Sequence, residues 1–395
     1  MTKKLVCLLL ALVMVFALVG CRSAAPAETP AEGEAPVSGE AATPTGDYKI
    51  GIITGTVSQG EEEYQAAQNM IKKYGAEKIV TATYPDNFST ETEATIAQVV
   101  GLAADPAVKA IVFVQAVPGA AAAIDKVRET RPEMLFVCGV CAEDPAVIAS
   151  KADICMLADE ISQGTAVIQQ AKKQGAETFV HISFARHLSY ATIAARRALF
   201  ESTCNELGMT YVEATAPDPT GDAGVSGAQQ WIIENVPEYV KQYGVNTAFF
   251  STNCSMQEPL IRTVAEQKAI FPQQCCPSPY HGYPAALGID VTGHEGDVQF
   301  MLDAISAKVS EYGNTGRMST WGTPVNMLMV EAGVLYSIEF CEGRTDGAYD
   351  EAVFFNCIKE AGGETGDQIQ VQSYEDPSIG TVKNFYMILC PFYDF

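Results

Sequence analysis

Histidine is scarce in this chain of 395 residues, which contains only four. No two of them stand at the His-x-x-x-His spacing with which a helix presents paired zinc ligands. The sequence also lacks the Gly-x-Ser-x-Gly elbow of serine hydrolases, the Gly-x-x-x-x-Gly-Lys phosphate loop and the Gly-x-Gly-x-x-Gly dinucleotide fingerprint. These absences argue against the corresponding enzyme classes. We therefore predict no catalytic residue, no bound metal and no cofactor.

Basic residues are also few, with 25 Lys and Arg against 48 Asp and Glu and a formal net charge of −23. Nucleic-acid binding depends on Lys and Arg side chains that meet phosphates. Such an acidic surface argues against nucleic acid as a partner. We interpret the acidity as a source of solubility.

A single long apolar run is present, and it lies at the start of the chain. Lys3 and Lys4 precede the apolar stretch Leu5–Val19, which is shorter than the roughly 20 residues needed to span a bilayer. This pattern predicts a secretory signal over residues 1–20. The segment Leu18-Val-Gly-Cys21 resembles the bacterial lipobox, which implies cleavage before Cys21 and acylation of its thiol. We expect an extracytoplasmic protein held at the cell membrane by lipid.

Cysteine usage does not indicate a disulfide framework. After Cys7 and Cys21, ten cysteines remain in a chain long enough to build an ordinary core. Several lie in apolar runs, where cysteine behaves as a small hydrophobic residue, so we expect mostly free, buried thiols. The motif Cys138-x-x-Cys141 lies at a strand end, and the adjacent pair Cys275–Cys276 is interpreted as two loop thiols. Neither feature is specific for redox or metal chemistry.

The rest of the chain divides into a polar leader and two regular halves. Residues 21–46 are rich in Ala, Pro, Glu, Thr, Ser and Gly, which predicts a disordered tether. Beyond them, short apolar strands alternate with amphipathic helices, which favours α/β units on parallel sheets. We predict an N-terminal lobe over 47–158, rejoined by about 322–345, and a C-terminal lobe over 159–321. Residues 346–395 are predicted to be an extension that ends in a strand.

The order of several motifs resembles type I periplasmic-type solute-binding proteins, whose fold is shared with the effector domain of LacI-type repressors. The motifs that carry the resemblance are Lys49-Ile-Gly-Ile-Ile-Thr54, Asp159 to Gly164, Ala194 to Phe200, Ala248 to Asn253 and Gly333 to Gly343. Cys254 replaces the Asp that this family places after Asn253. The resemblance implies two Rossmann-like α/β lobes with parallel sheets joined by a hinge. It also implies crossovers near Asp159, near Tyr280 to Ile289 and between Gly343 and Tyr386.

Ligands of open parallel sheets bind outside the carboxyl ends of the strands. With two facing lobes, the residues that follow each strand should line one cleft. The predicted ligand-binding residues are Thr54, Thr56, Ser58, Gln59, Gln115, Ser183, Phe184, Arg186, His187, Thr252, Asn253, Tyr280 and His281. Their polar and aromatic character suits a sugar or nucleoside, while Arg186 leaves a carboxylate ligand open. The acidic run Glu61-Glu62-Glu63 is interpreted as a helix start.

These expectations combine into a lipid-anchored solute receptor, not an enzyme, that delivers a small molecule to an ABC permease in the membrane. The leader and tether argue against the DNA-binding branch of the fold, which carries a helix-turn-helix at that position. Two alternatives stay open: a lipoprotein that reports its ligand to a chemoreceptor or kinase, and an extracellular hydrolase. We expect the receptor to be a monomer.

Overall fold

The computed structural model describes residues 45–395 apart from 87, 89 and 220, and describes only the backbone at 58, 59 and 191. The predicted signal peptide, the acylated Cys21 and all of the tether except residues 45 and 46 lie outside this range. Among the described residues, no helix combines the length and hydrophobicity needed to cross a membrane.

The first part of the chain alternates strands and helices from residue 49 to residue 158. Its elements are β1 (Lys49–Thr54), α1 (Val57–Tyr74), β2 (Ile79–Thr83), α2 (Thr92–Ala103), β3 (Val108–Val114), α3 (Ala120–Arg128), β4 (Leu135–Gly139), α4 (Pro145–Ala149) and β5 (Ile154–Ala158). Strands β1, β3 and β4 are buried along nearly their whole length, as expected for a parallel sheet covered on both faces.

The middle part builds a second set of α/β units, and the last part returns to the first sheet. The middle elements are α5 (Gln163–Lys173), β6 (Thr178–Ser183), α6 (Ala185–Leu188), α7 (Ala191–Glu206), β7 (Thr210–Thr215), α8 (Gly224–Tyr243), β8 (Thr247–Ser251), α9 (Gln257–Gln267), α10 (Tyr283–Leu287) and α11 (Val298–Tyr312). The last elements are β9 (Ser319–Trp321), α12 (Val325–Cys341), α13 (Glu351–Ala361), β10 (Gln370–Asp376), β11 (Gly380–Leu389) and β12 (Phe392–Asp394). Two short 3-10 helices occupy Cys254–Met256 and Gly363–Gln368.

Two parallel sheets organise the described residues. The larger has seven strands in the order β10-β11-β5-β4-β3-β1-β2, and β10 is its antiparallel edge. The smaller has the order β7-β6-β8, with all its pairings parallel. Helices cover both faces of each sheet, so each sheet has an apolar core on either side. This arrangement gives two α/β lobes.

A short ribbon joins the two lobes. Strands β9 and β12 pair antiparallel, with Phe392 opposite Trp321. Trp321 and Phe392 pack in the first-lobe core, whereas Met318 and Phe395 pack in the second-lobe core. The chain therefore passes between the lobes at this ribbon as well as after β5.

The structure differs from the sequence prediction in several elements. The crossover expected near Tyr280 to Ile289 is instead occupied by α10, whose Tyr283 packs inside the second lobe. The predicted final strand is the longer β11, which pairs parallel with β5 in the first-lobe sheet. Strands β5 and β10 and helix α13 were not anticipated. Helix α1 begins at Val57, before the acidic run, and is kinked at Gly60.

Candidate ligand-binding cleft

A cavity of about 450 Å³ lies where strand ends of the two lobes face each other. The first lobe contributes the start of α1, Gln115 after β3, and Asn326 near the start of α12. The second lobe contributes Gln229 of α8, the turn after β8, and the 280–285 segment. The lining residues are Val57, Gly60, Glu61, Glu62, Glu63, Gln115, Gln229, Cys254, Ser255, Glu258, Cys276, Tyr280, His281, Gly282, Ala285 and Asn326.

A buried carboxylate organises the first-lobe wall. Glu63 Oε1 accepts hydrogen bonds from Gln115 Nε2 at 2.9 Å and from Asn326 Nδ2 at 2.8 Å. Burial raises the pKa of Glu63, although these two amide donors oppose the shift. One side chain thus links α1, the end of β3 and the start of α12.

Two buried polar atoms in the cavity wall have no hydrogen-bond partner in the described part of the chain. Glu62 Oε2 and Tyr280 Oη are buried and have no hydrogen-bond partner among the described residues. Burial and the neighbouring Glu63 carboxylate raise the pKa of Glu62 to about 8. A buried polar group without a partner is costly, so these atoms favour a bound ligand or water in the cavity.

The wall is acidic. Glu61, Glu62, Glu63 and Glu258 line the cavity, and no lysine or arginine is found among its described lining residues. The ion pair between Glu258 and Arg262 at 2.7 Å compensates one of these carboxylates. The cavity therefore suits groups that donate hydrogen bonds or carry positive charge.

Three cysteines gather on the second-lobe wall. Cys254 Sγ lies 3.5 Å from Cys275 Sγ and 3.8 Å from Cys276 Sγ. Hydrogen bonds with the two other thiols hold the pKa of the Cys254 thiol well below its usual range. Cys254 and Cys276 are exposed, whereas Cys275 is buried. All ten cysteines in the described part of the chain are free.

Three predicted site residues line this cavity: Gln115, Tyr280 and His281. The side chains of Ser58 and Gln59 lie outside the described atoms. Thr56 lines a separate groove of about 640 Å³ beside β2, which only first-lobe residues form. Thr54 is buried, and its hydroxyl donates to the Gly55 carbonyl at 2.9 Å.

The remaining predicted residues form contacts of their own within the second lobe. Arg186 donates from Nε and Nη2 to the two carboxylate oxygens of Asp218, at 2.8 and 2.9 Å. Its guanidinium also lies over the ring of buried Phe184, 5.2 Å from the centroid. None of these three residues lines the cavity.

Near them, three polar side chains form a small network that is also outside the cavity lining. The hydroxyls of Ser183 and Thr252 are 2.9 Å apart, and His187 Nδ1 lies 3.1 Å from Thr252 Oγ1. Asn253 Oδ1 accepts from Ser255 N at 2.9 Å and thereby caps the 3-10 turn that follows β8. Asn253 thus shapes the turn that carries Cys254.

Sequence reasoning did not select Glu63, Gln229, Cys254 or Asn326 as site residues. The signal for Cys254 was its place at the strand end, where the resembled family has Asp. Glu63 also follows β1, but the run Glu61-Glu62-Glu63 was interpreted as a helix start. Gln229 and Asn326 carry no local signal, because each lies inside a helix, Gln229 in α8 and Asn326 in α12.

Solved structures with the same architecture define the fold class. A "Putative transcriptional regulator" from Clostridium difficile 630 superposes with a TM-score of 0.76 at 22% identity, covering 88% of this chain and 99% of that one. A sugar ABC transport substrate-binding protein from Bordetella parapertussis 12822 superposes with a TM-score of 0.53 at 10% identity, covering 90% and 91%. The protein has the two-lobe type I periplasmic-binding-protein fold, which confirms the predicted fold class.

The family is shown by sequence. Residues 48–319 match the family model described as "Protein of unknown function (DUF3798)", and the chain belongs to this family. The chain is 36% identical over 181 residues to an "Uncharacterized protein" of Treponema pallidum (strain Nichols), which covers 44% of this chain and 82% of the relative. A second protein of that strain is 35% identical over 160 residues, covering 40% of this chain and 74% of the relative.

Proposed function

We propose that this protein is an extracytoplasmic solute receptor that captures a small polar molecule in the cleft between its lobes. The observation that carries the proposal is the cavity at facing strand ends, with the unpartnered Glu62 Oε2 and Tyr280 Oη in its wall. Ligand would stabilise a closed arrangement of the lobes about the β9–β12 ribbon, to the extent that it binds the closed form more tightly.

The acidic wall refines the ligand class. A sugar or nucleoside would donate its hydroxyl or amino hydrogens to Glu62, Glu63 and Gln115. An anionic solute would meet carboxylates without a compensating lysine or arginine in the described lining. Arg186, the residue that left a carboxylate ligand open, is already paired with Asp218. We therefore favour a neutral or amine-bearing sugar or nucleoside over an acid.

Ligand binding can be tested directly on the purified protein. Native mass spectrometry should reveal a co-purified small molecule, and a thermal-shift panel should include glucosamine and glucuronic acid as a pair of opposite charge. A ligand that binds only the native state must raise the melting temperature. The proposal predicts a shift for a neutral or amino ligand. No stabilisation by any sugar or nucleoside would contradict it.

Variants can then place the ligand in this cleft. Gln115→Ala and Gln229→Ala remove one cleft amide from each lobe, and both should weaken binding. Gln68→Ala is the matched control, because Gln68 lines the separate groove beside β2. Equal losses from Gln68→Ala and Gln115→Ala would contradict the assignment.

The receptor would act at the membrane as a monomer, anchored through acylated Cys21, and would deliver its solute to an ABC importer. The lipobox resemblance supports this location. Cys21→Ser should release the protein from the membrane fraction. Deletion of the gene should reduce uptake of the labelled ligand, whereas unchanged uptake would favour a sensor that reports to a chemoreceptor or kinase.

A further inference from the structure

Two separate chain segments bring soft metal ligands together in the wall of the cleft. Cys254 comes from the turn after β8, whereas Cys275, Cys276 and His281 come from the segment between α9 and α10. The sulfur atoms of Cys254 and Cys275 and a ring nitrogen of His281 all lie within 4.8 Å of one another. Cys276 Sγ lies 3.8 Å from Cys254 Sγ.

The distances between sulfur atoms are close to those between sulfur ligands of one tetrahedral metal ion. A zinc–sulfur distance of about 2.3 Å places two sulfur ligands about 3.8 Å apart in tetrahedral geometry. The observed Sγ–Sγ distances from Cys254 are 3.5 Å to Cys275 and 3.8 Å to Cys276. Both distances from Cys254 are thus already close to the spacing that an ion would require.

Hydrogen bonds from two buried amides hold the backbone of both segments. Gln257 Nε2 donates to the Ser251 and Asn253 carbonyls at 3.1 and 2.9 Å, next to Cys254. Gln274 Nε2 donates to the Ser278 and His281 carbonyls at 2.7 and 2.8 Å. Side chains on backbone held in this way are pre-organised, which favours metal binding.

Two carboxyl groups whose ionised form a cation would stabilise lie near the thiols. Glu62 and Glu63 line the same cavity as Cys254, Cys276 and His281. Thiolate and imidazole donors together select thiophilic ions such as zinc over magnesium or calcium.

We propose that Cys254, Cys275 and His281 bind a thiophilic metal ion such as Zn²⁺, with Cys276 as the fourth donor. Each sulfur coordinates as a thiolate, so any thiol that is still protonated releases its proton to solvent as the metal–sulfur bond forms. The site shares a wall with the solute cleft, but metal binding is measured without any solute. The two proposals can therefore fail separately.

Cobalt and zinc titrations of the reduced full-length protein test the site. Co²⁺ held by thiolates should give sulfur-to-metal charge-transfer bands at one equivalent, and Zn²⁺ should displace it. Cys254→Ser and His281→Gln should each weaken Zn²⁺ binding by roughly tenfold or more, since even loss of an outer partner has effects on that scale. A chromophoric chelator in competition gives the affinities.

The matched control is Cys341→Ser, which removes a half-buried thiol of α12 in the first lobe and should leave the titration unchanged. Cys254 is exposed and His281 is half-buried, so these variants should fold, and their melting curves verify this. Absence of charge-transfer bands, or unchanged affinity in Cys254→Ser, would overturn the proposal. A Cys254–Cys275 disulfide in a protein that binds no zinc after reduction would overturn it as well.

Discussion

Gln115 Nε2 donates to Glu63 Oε1 at 2.9 Å, which ties the end of β3 to helix α1 at the floor of the cleft. The same oxygen accepts from Asn326 at 2.8 Å, near the start of α12. A residue from an acidic run thus acts as the shared acceptor for two amides that come from distant parts of the chain. The first-lobe wall is built around this one carboxyl group.

The shared acceptor can be tested by two substitutions at Glu63. Glu63→Ala leaves two amides without an acceptor in a largely buried setting and should lower the free energy of unfolding by about 1–3 kcal/mol or more. Glu63→Gln keeps a carbonyl oxygen at the same position and should cost less. Denaturant titration measures both. Glu61→Ala, on the exposed neighbour, is the control, and an equal loss in that variant would contradict the interpretation.

Arg186 should contribute to local stability, not to ligand affinity. Its ion pair with Asp218 is partly exposed, so Arg186→Ala should cost at most about 1 kcal/mol. Isothermal titration with whichever ligand the thermal-shift panel identifies should show affinity unchanged within about twofold. Gln115→Ala, measured alongside, should lose affinity. A large loss of affinity in Arg186→Ala would place the ligand near β6 instead of in the cavity described above.

The second lobe should lose stability in acid because of His181 and Glu213. His181 Nδ1 lies 3.3 Å from Glu213 Oε1. Burial lowers the pKa of His181 below its usual 6.5, so the unfolded chain takes up this proton before the native state does. Burial alone would raise the pKa of Glu213, but hydrogen bonds from His181 and Tyr211 and the ion pair with Arg197 lower it to about 2. Because of both groups, the unfolded state binds more protons in acid than the native state does. The free energy of unfolding therefore falls as the pH is lowered.

The expected result is a melting temperature that declines as pH drops below 6.5, and more steeply from about 4.5 towards 2. Glu213→Gln should be less stable at neutral pH and should show a shallower decline below about pH 4.5. Glu266→Gln, on an exposed residue of α9, should follow the wild-type curve. Parallel curves for Glu213→Gln and wild type would count against this interpretation.

Alanine substitutions at two helix glycines should change the free energy of unfolding in opposite directions. A Cβ on Gly333 of α12 would lie 2.7 Å from Val112 Cγ1 of β3, so Gly333→Ala should destabilise the first lobe by about 1–3 kcal/mol. Gly101 in α2 has open space around the same position, so Gly101→Ala should stabilise by about 0.5–1 kcal/mol through helix propensity. Chemical denaturation of both variants measures whether each substitution raises or lowers the free energy of unfolding. Stabilisation by Gly333→Ala would mean that α12 can move away from the sheet.

Periodicity was enough to predict the elements that have a clear apolar pattern. Strand β3 (Val108–Val114) and strand β6 (Thr178–Ser183) are such elements, because a buried parallel strand is a short, continuous apolar run. Strand β10 (Gln370–Asp376) was missed, because it is a polar antiparallel edge with little buried surface. Such a strand is stabilised by pairing with β11, which no local pattern reveals.

Three predicted site residues line the cavity. Gln115 was predicted because it directly follows β3, whereas Tyr280 and His281 lie in the segment between α9 and α10. Arg186 also follows a strand end, yet its guanidinium forms an ion pair with Asp218, which lies 32 positions further along the chain. Cys254 and Cys275 come within 3.5 Å although 21 positions separate them, and neither was selected from sequence. Such pairings depend on how loops fold back, which residue type and spacing do not specify.

The amino-acid sequence by itself determined the two α/β halves, the parallel sheets and the polar character of the strand ends, because hydrophobic periodicity is local and strong. Only the tertiary structure decided which polar groups meet. It made Glu63 the acceptor for Gln115 and Asn326, paired Arg186 with Asp218, and gathered three cysteines beside His281. The physical reason is that these contacts join residues far apart in the chain, and their geometry is set by packing of the whole core.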